Sequence, residues 1–254
     1  MLKLIMNGLE LAYERRGQGT SLILIHGYPL DHSIWQPLVP LLENRFDLIM
    51  PDLRGFGQSL VGGSSTHLSD MAGDLITLMD HLQIQKALVA GHSMGGYVSL
   101  ALARQHVSRL LGLGLIATQA NADPPEKRIA RNQLADRVEM NGVGEVADSM
   151  PALLTKVPHV QESLKDLILL QSSRGVAGAL RAMAERPDSM DELSTLEVPV
   201  VIIHGLADGI MPVDRAREMR SAVKNGSLIE IEGVGHMPMI EAPQAVAEAL
   251  EAFH

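Results

Sequence analysis

Hydrophobic residues along the chain form two alternating patterns: short continuous apolar runs, and apolar positions at helical spacing. The continuous runs are typical of strands buried on both faces of a parallel sheet. Together with the turn signals around them, the runs and extended segments predict strands at Leu9–Arg15, Ser21–Ile25, Phe46–Met50, Ala87–Ala90, Leu111–Ala117, Val198–Ile203 and Leu228–Ile231. The helical spacing predicts helices at Ser33–Leu42 (with Ser33 as N-cap), Thr66–Leu82, Gly96–Ala103, Pro212–Val223 and Pro243–Phe253. Strands that alternate with helices predict an α/β fold with a mostly parallel, doubly wound sheet.

The alternation of strands and helices stops between residues 119 and 190. This stretch shows no strand pattern. Its apolar spacing predicts helices at Glu126–Met140, Val143–Leu154, Val160–Leu170 and Val176–Glu185. We therefore interpret residues 1–118 and 191–254 as the core of the fold. Residues 119–190 are interpreted as a helical insertion that forms a lid over the C-terminal edge of the sheet.

One strand-to-helix junction carries a nucleophile motif. An apolar run leads into Gly91-His92-Ser93-Met94-Gly95, which places a serine between two glycines at the spacing Gly-x-Ser-x-Gly, and a helical pattern follows. A serine in such a turn has a strained backbone that exposes its hydroxyl. The glycines are needed because a Cβ at either position would crowd the strand against the helix. Ser93 is therefore a candidate nucleophile, provided that a general base lies beside it.

Two later loops offer the acid and the base that such a serine requires. Asp208 lies in the loop after the predicted strand Val198–Ile203, and His236 lies in a glycine-rich loop after the last strand. Loops that follow parallel strands lie at the same edge of the sheet, so the three side chains can meet there. Their order along the chain is serine, then aspartate, then histidine.

These residues resemble those of the α/β-hydrolase fold family of esterases and lipases, and the resemblance extends over nearly the whole chain. Further matches are His26-Gly27-Tyr28-Pro29 and the segment Pro51–Ser59, each of which follows a predicted strand. The resemblance implies acyl transfer in two steps, with an oriented histidine that accepts the proton of the serine. The implied site residues are the catalytic triad Ser93, Asp208 and His236, and the oxyanion-hole amides of Tyr28 and Met94.

Two other carboxylates follow strands and compete with Asp208 for the role of the acid. Asp52 stabilises a loop in the proteins that the chain resembles. Asp123 is the stronger rival, because some relatives place the acid after the corresponding strand. We favour Asp208 because of its position in the loop after a buried strand. His92 adjoins the serine and lines the turn, without a direct catalytic role because one base suffices.

Composition excludes several classes of function. The net charge of −9, with no block rich in lysine and arginine, argues against nucleic-acid binding. The chain has no cysteine, which excludes disulfides, thiolate metal sites and cysteine nucleophiles. No group of histidines and carboxylates has metal-ligand spacing, and six histidines, His32 among them, are expected at the surface. No signal-peptide pattern or long apolar stretch is present, so we expect no membrane span and a cytoplasmic location. We also expect no metal and no cofactor.

The 14 methionines indicate a deformable apolar pocket, with Met211 and Met237 as candidate substrate-binding residues. The sequence therefore predicts a hydrolase whose partner is a small-molecule carboxylic ester of small to medium acyl length. A lactone hydrolase remains open, because enol-lactone hydrolases resemble the chain closely around His-Ser-Met-Gly-Gly. A carbon–carbon-bond hydrolase, a cofactor-free haloperoxidase and a non-catalytic ligand receptor on the same fold are less favoured.

Overall fold

The strands predicted from the sequence are all present in the computed structural model, which describes residues 1–6, 8–60 and 66–253. Together with one further strand, they form one eight-stranded sheet in the order β1-β2-β4-β3-β5-β6-β7-β8. The pairs β1·β2 and β2·β4 are antiparallel, and all the other neighbouring pairs are parallel. The strands are β1 (Leu2–Met6), β2 (Leu9–Gly17), β3 (Thr20–Ile25), β4 (Phe46–Pro51), β5 (Ala87–His92), β6 (Leu110–Ile116), β7 (Val200–Gly205) and β8 (Gly226–Ile231).

The first strand, β1, was not predicted. It is an edge strand that pairs only with β2, with Leu2 opposite Tyr13. Two of its apolar side chains face solvent, since Leu2 is 52% and Ile5 is 77% exposed, whereas Leu4 packs against the core. Because an edge strand of this kind buries so little, its apolar residues carry no pattern that distinguishes a strand from a disordered terminus.

The helices of the core lie where the apolar spacing predicts them, with small shifts at their ends, except for the short helix Pro238–Glu241, which was not predicted. They are α1 (Val39–Leu42), α2 (Leu68–His81), α3 (Met94–His106), α10 (Val213–Ala222), α11 (Pro238–Glu241) and α12 (Pro243–Glu251). The segment predicted as one helix at Ser33–Leu42 is a 3-10 helix, His32–Leu38, that runs into α1. Its N-cap is Asp31 and not Ser33, because the Asp31 carboxylate accepts the amide of Ser33.

Between β6 and β7 the described chain is helical, as predicted, although the last of its helices, Met190–Thr195, was not predicted. The helices are α4 (Pro125–Asn141), α5 (Gly144–Ser149), α6 (Pro151–Leu154), α7 (Pro158–Leu169), α8 (Ser173–Glu185) and α9 (Met190–Thr195). The single helix predicted at Val143–Leu154 is divided into α5 and α6 at Pro151, which has no amide hydrogen to continue the first helix. Helix α8 packs closely on the loop after β4. The absence of a side chain on Gly175 permits this contact, since a Cβ there would overlap the backbone carbonyl of Gly55.

The core lies on both faces of the sheet. The consecutive residues Leu22, Ile23, Leu24 and Ile25 of β3 are all fully buried, so side chains on both faces of this strand are covered by other elements. Because β5, β6, β7 and β8 are parallel, the carboxyl ends of β5, β7 and β8 lie at the same edge of the sheet, where the loops of the candidate site begin. Within the described residues, every helix is too short or too polar to cross a membrane.

Candidate active site

Ser93 occupies the sharp turn between β5 and α3. Its backbone has φ 51° and ψ −111°, a positive φ that is strained for a residue with a side chain. The turn is held from both sides: the Ser93 amide donates to the Ile116 carbonyl at 2.9 Å, and Thr118 Oγ1 donates to the Ser93 carbonyl at 2.7 Å. A Cβ on Gly91 would overlap the backbone of Gly95, so the crowding expected at this motif is present.

Asp208 and His236 form a buried hydrogen-bonded pair. His236 Nδ1 lies 2.7 Å from Asp208 Oδ2, and both side chains are almost completely buried. The other carboxylate oxygen, Oδ1, accepts the amides of Ile210 at 2.8 Å and Met211 at 2.9 Å. Burial alone would raise the pKa of Asp208, but the hydrogen bond and charge of His236 and these two amides outweigh it and lower the pKa. Asp208 is thus an ionised acceptor that fixes the orientation of the imidazole.

Backbone contacts hold the loop of His236 in place. The Ala207 amide donates to the Val234 carbonyl at 2.9 Å, which joins the loop of Asp208 to that of His236. The amide of His236 donates to the carbonyl of Leu154 at 3.0 Å, at the end of α6. The helical segment between β6 and β7 therefore contacts the candidate base directly.

His92 connects the turn of the serine to the loop of the histidine. Its Nε2 lies 2.8 Å from the His236 carbonyl oxygen, and the two rings are 4.9 Å apart. Burial, reinforced by the neighbouring His236 ring, lowers the pKa of His92 to about 3. His92 is therefore neutral at physiological pH. The sequence placed His92 at the turn but gave no sign of this contact with a loop 144 residues away.

The structure brings His236 and Asp208 into hydrogen-bond contact, and it places Ser93 one residue from the His92 ring that packs on His236. Among the described residues, no hydrogen bond joins Ser93 Oγ to the imidazole of His236. The backbone amides of Tyr28 and Met94 likewise donate to no acceptor in the described part of the chain. Met94 is the first residue of α3, where an amide has no partner within its own helix.

The side chains of the other predicted site residues are buried. Tyr28 packs edge-on against Phe56 at 6.5 Å, and burial raises the pKa of its hydroxyl, which has no partner among the described residues. Met211 and Met237 belong to the hydrophobic core. The backbone of Met211 holds the acid, and its carbonyl oxygen lies 2.9 Å from His204 Nε2. Contact of these two methionines with a substrate stays a prediction.

The two rival carboxylates have other partners. Asp123 is buried between two guanidinium groups, with Arg131 Nε at 2.5 Å and Arg186 Nη1 at 2.8 Å from its Oδ2. Burial opposes its ionisation, but the two arginines outweigh that effect and lower the pKa of Asp123. Asp52 organises its own loop, because its Oδ2 accepts the amide of Gln58 at 2.8 Å.

Asp31, His32 and Asp52 place potential metal-ligand atoms within 4.8 Å of one another. His32 Nδ1 lies 2.6 Å from Asp52 Oδ1, and the amide of His32 donates to the same oxygen at 2.9 Å. A hydrogen-bonded His–Asp pair therefore accounts for the group. The expectation that His32 is a surface residue is wrong, since its side chain is only 14% exposed.

The comparisons with known proteins agree with this geometry. The model of the alpha/beta hydrolase fold family matches residues 20–243. The chain belongs to the α/β-hydrolase family. The predicted fold class, an α/β-hydrolase fold with a mostly parallel sheet, is therefore confirmed.

Several members of this family are similar to the chain over its whole length. A thermophilic esterase from Thermogutta terrifontis is 36% identical, with a TM-score of 0.95, and the match covers 99% of this chain and 97% of that one. The enol-lactonase from Burkholderia xenovorans LB400 is 26% identical, with a TM-score of 0.91 and 99% of both chains covered. The 3-oxoadipate enol-lactonase 2 of Acinetobacter baylyi is 27% identical over 96% of this chain and 92% of its own length.

Proposed function

We propose that this α/β hydrolase is a carboxylesterase that cleaves small to medium carboxylic esters through an acyl-enzyme intermediate. The observation that carries the proposal is the buried His236–Asp208 pair, at 2.7 Å, in which the loop of His236 contacts His92 at the strained turn of Ser93. An imidazole held by an ionised carboxylate is the base that a serine nucleophile requires. The similarity to the Thermogutta terrifontis esterase supports the same activity.

In the first step, Ser93 Oγ attacks the carbonyl carbon of the ester while His236 Nε2 accepts the serine proton. Reacting groups of free enzymes often lie beyond hydrogen-bond distance and approach only when substrate binds, so the lack of a Ser93–His236 hydrogen bond is compatible with this role. His236 returns its proton to the departing alkoxide, which leaves as an alcohol. In the second step, His236 takes a proton from the water that attacks the acyl carbon, and the protonated imidazole then returns this proton to Ser93 Oγ as the carboxylic acid is released.

The free amides of Tyr28 and Met94 are proposed to stabilise the oxyanion that develops during both steps. Each such donor is worth about 3–4 kcal/mol in comparable sites. The N-terminus of α3, which begins at Met94, adds a positive dipole at the same place. The helical segment 119–190 is proposed to act as a lid, and its Leu154–His236 contact supports a position over the site. The cytoplasmic location and the absence of a cofactor stay predictions.

The proposal is tested with p-nitrophenyl esters of increasing acyl length. Wild-type protein should hydrolyse the shorter esters, and Ser93→Ala should reduce kcat/KM by at least about 10³-fold. Ser108→Ala, which removes an exposed hydroxyl beyond the end of α3, is the matched control and should retain wild-type activity. A fluorophosphonate probe should label wild-type protein at Ser93. Inactive wild-type protein that also resists the probe would favour a ligand receptor instead.

A lactone hydrolase is the second candidate, because enol-lactonases match the chain from end to end. A lactone is an internal ester, so the same nucleophile, base and oxyanion donors would open it without a separate leaving group. The two candidates are separated by kcat/KM for a series of lactones and for acyclic esters of the same acyl length. A higher value for the lactones would assign the lactonase activity.

A further inference from the structure

A buried histidine lies directly beneath the proposed acid and has no part in the mechanism above. His204 is the last residue but one of β7, four positions before Asp208, and its side chain is completely buried. Its two ring nitrogens differ in their surroundings. Nε2 lies 2.9 Å from the carbonyl oxygen of Met211, whereas Nδ1 has no hydrogen-bond partner in the described part of the chain. The ring is therefore anchored through one nitrogen only.

The contact with Met211 fixes the protonation of the His204 ring. A carbonyl oxygen only accepts hydrogen bonds, so Nε2 carries the proton and donates it. Burial lowers the pKa of His204, and the charge of the nearby His236 acts in the same direction. His204 is therefore a neutral hydrogen-bond donor at pH 7, and not a second general base.

The turn that carries Asp208 is fixed to β7 at both of its ends. At the near end, the amide of Asp208 donates to the Gly205 carbonyl at 3.2 Å. At the far end, the Met211 carbonyl accepts the proton of His204 Nε2. Between these ends, the amides of Ile210 and Met211 donate to Asp208 Oδ1. The bond from His204 thus restrains a residue whose own amide orients the carboxylate.

Nε2 of His204 is also close to the carboxylate oxygen that holds the proposed base. It lies 3.6 Å from Asp208 Oδ2, which is too long for a hydrogen bond but brings a polar N–H near a negative charge. The same oxygen lies 2.7 Å from His236 Nδ1. Two histidines therefore approach one oxygen of the acid, one through a direct hydrogen bond and the other through the adjacent turn.

Packing alone does not account for a histidine at this position. The three preceding residues of β7, Val201, Ile202 and Ile203, are apolar and buried, and another apolar side chain would continue that pattern. A histidine instead buries a nitrogen, Nδ1, that finds no partner among the described residues, which destabilises the fold. Glu230, opposite His204 on β8, pairs with Arg217 at 2.7 Å. The contact of Nε2 with the turn of Asp208 is what distinguishes this histidine from an apolar residue.

We propose that His204 is a positioning residue that holds Asp208 in place through the Met211 carbonyl, a role that rests on the proposed triad of Ser93, His236 and Asp208. Without the Nε2 donor, the buried Met211 carbonyl loses its side-chain partner, the turn relaxes, and Asp208 Oδ2 shifts relative to His236 Nδ1. Misplacement of a catalytic group by about 1 Å costs roughly 10²-fold in rate. The loss should therefore appear in kcat and in the His236–Asp208 hydrogen bond, with little change in KM.

Three substitutions separate the Nε2 donor from the polarity and the volume of the ring. In His204→Gln the side-chain amide nitrogen reaches the place of Nε2 and can donate to Met211. In His204→Asn the amide nitrogen ends near the place of Nδ1 and cannot reach, and His204→Leu fills the volume without a donor. His81→Asn repeats the asparagine change at an exposed position of α2 and is the matched control. Thermal melts establish that each variant is folded, and the leucine variant replaces the asparagine variant if the latter is not.

The first measurement is the proton NMR signal of His236 Nδ1, which the short bond to Asp208 should move well downfield of the backbone amides. The signal should persist in His204→Gln and should be lost or move upfield in His204→Asn and His204→Leu. The second measurement is steady-state kinetics with a p-nitrophenyl ester. We expect the asparagine and leucine variants to lose about 10–100-fold in kcat with KM within about threefold of wild type, and the glutamine variant to stay within about threefold in both. His81→Asn should change neither the signal nor the rate.

An unchanged NMR signal and kcat in the asparagine and leucine variants would overturn the proposal. Equal loss in all three variants, glutamine included, would also overturn it, because the shape of the ring and not its donor would then hold the acid. The NMR measurement needs no substrate, so it separates this role from the proposed activity. If wild-type protein hydrolyses no ester but the signal persists in His204→Gln and disappears in His204→Asn, the positioning role stands and the esterase function fails.

Discussion

The imidazole Nε2 of His92 lies 2.8 Å from the backbone carbonyl oxygen of His236. A carbonyl only accepts hydrogen bonds, so this nitrogen carries the proton of the neutral ring. The side chain that precedes the proposed nucleophile therefore holds the loop of the proposed base at a fixed distance. Because His92 stays neutral down to about pH 3, this contact persists at every pH at which the enzyme would work.

Loss of this contact should reduce the rate of reaction more than it weakens substrate binding. We expect His92→Ala to lower kcat about 10–100-fold with a small change in KM, because misplacement of a catalytic group by about 1 Å costs roughly 10²-fold. His92→Gln, which retains a donor on a side chain of similar reach, should recover part of the rate. Steady-state kinetics with a p-nitrophenyl ester, alongside thermal melts, measures both. Equal kcat for the Ala and Gln variants would show that only packing is involved.

The glycine before the serine turn should not tolerate a methyl group. In Gly91→Ala the new Cβ would overlap the carbonyl oxygen of Gly95, and both are backbone-anchored, so neither can move away. We expect a loss of several kcal/mol in the free energy of unfolding, or failure to fold. Gly73→Ala is the matched control: this glycine lies inside α2, and a Cβ there meets nothing within 4 Å.

The control variant should gain about 0.5–1 kcal/mol, because alanine restricts the unfolded chain and favours the helix. Urea denaturation of the two variants and the wild type gives both values. Similar stability of Gly91→Ala and Gly73→Ala would contradict the close contact between the end of β5 and the start of α3.

Replacement of the proposed acid, Asp208, should impair catalysis without unfolding the protein. Asp208→Asn keeps the shape of the side chain but removes the charge that stabilises the imidazolium and fixes its tautomer. We expect kcat to fall about 10³–10⁴-fold, as for the equivalent change in other triads. Asp214→Asn, an exposed aspartate at the start of α10, should stay within a fewfold of wild type. Activity retained by Asp208→Asn and lost in Asp123→Asn would move the acid to the rival loop.

The sequence predicted the elements that depend on local patterns. The strand ends that carry Ser93 and Asp208 were identified because continuous apolar runs precede their loops, and that of His236 because the mostly apolar segment Leu228–Ile231 precedes its loop. Parallel strands bring such loops to one edge of the sheet. Thr118, which holds the Ser93 carbonyl, was missed although it lies two residues after the end of β6, and the same rule would have found it. The position of a residue after a strand was thus the signal that identified most of the candidate site.

Features that depend on distant partners could not be predicted. The contact of His92 with the His236 carbonyl joins residues far apart in the chain, and no spacing rule relates them. The N-cap was assigned to Ser33 because serine is a common cap, whereas the structure uses Asp31, two residues earlier. Strand β1 has too few buried residues to show a pattern, since it is an edge strand.

The pKa of Asp123, lowered from its ordinary value of 3.8, predicts a contribution to stability that depends on pH. Burial alone would raise this pKa, but Arg186 and Arg131 outweigh it and favour the carboxylate in the folded protein. A carboxyl group with a lower pKa in the folded state stabilises the protein above pH 3.8. That stabilisation is lost as the pH falls through the folded-state pKa.

Asp123→Asn leaves two buried guanidinium groups without their carboxylate, so we expect it to cost about 3–5 kcal/mol at pH 7. Asp148→Asn breaks an exposed pair with Lys165 and should cost at most about 1 kcal/mol. Urea denaturation at pH 7, 5, 4 and 3 should show the gap between wild type and Asp123→Asn narrowing below pH 4, as wild type loses the ionised pair. A gap that stays constant across this range would mean that the charge of Asp123 does not stabilise the fold.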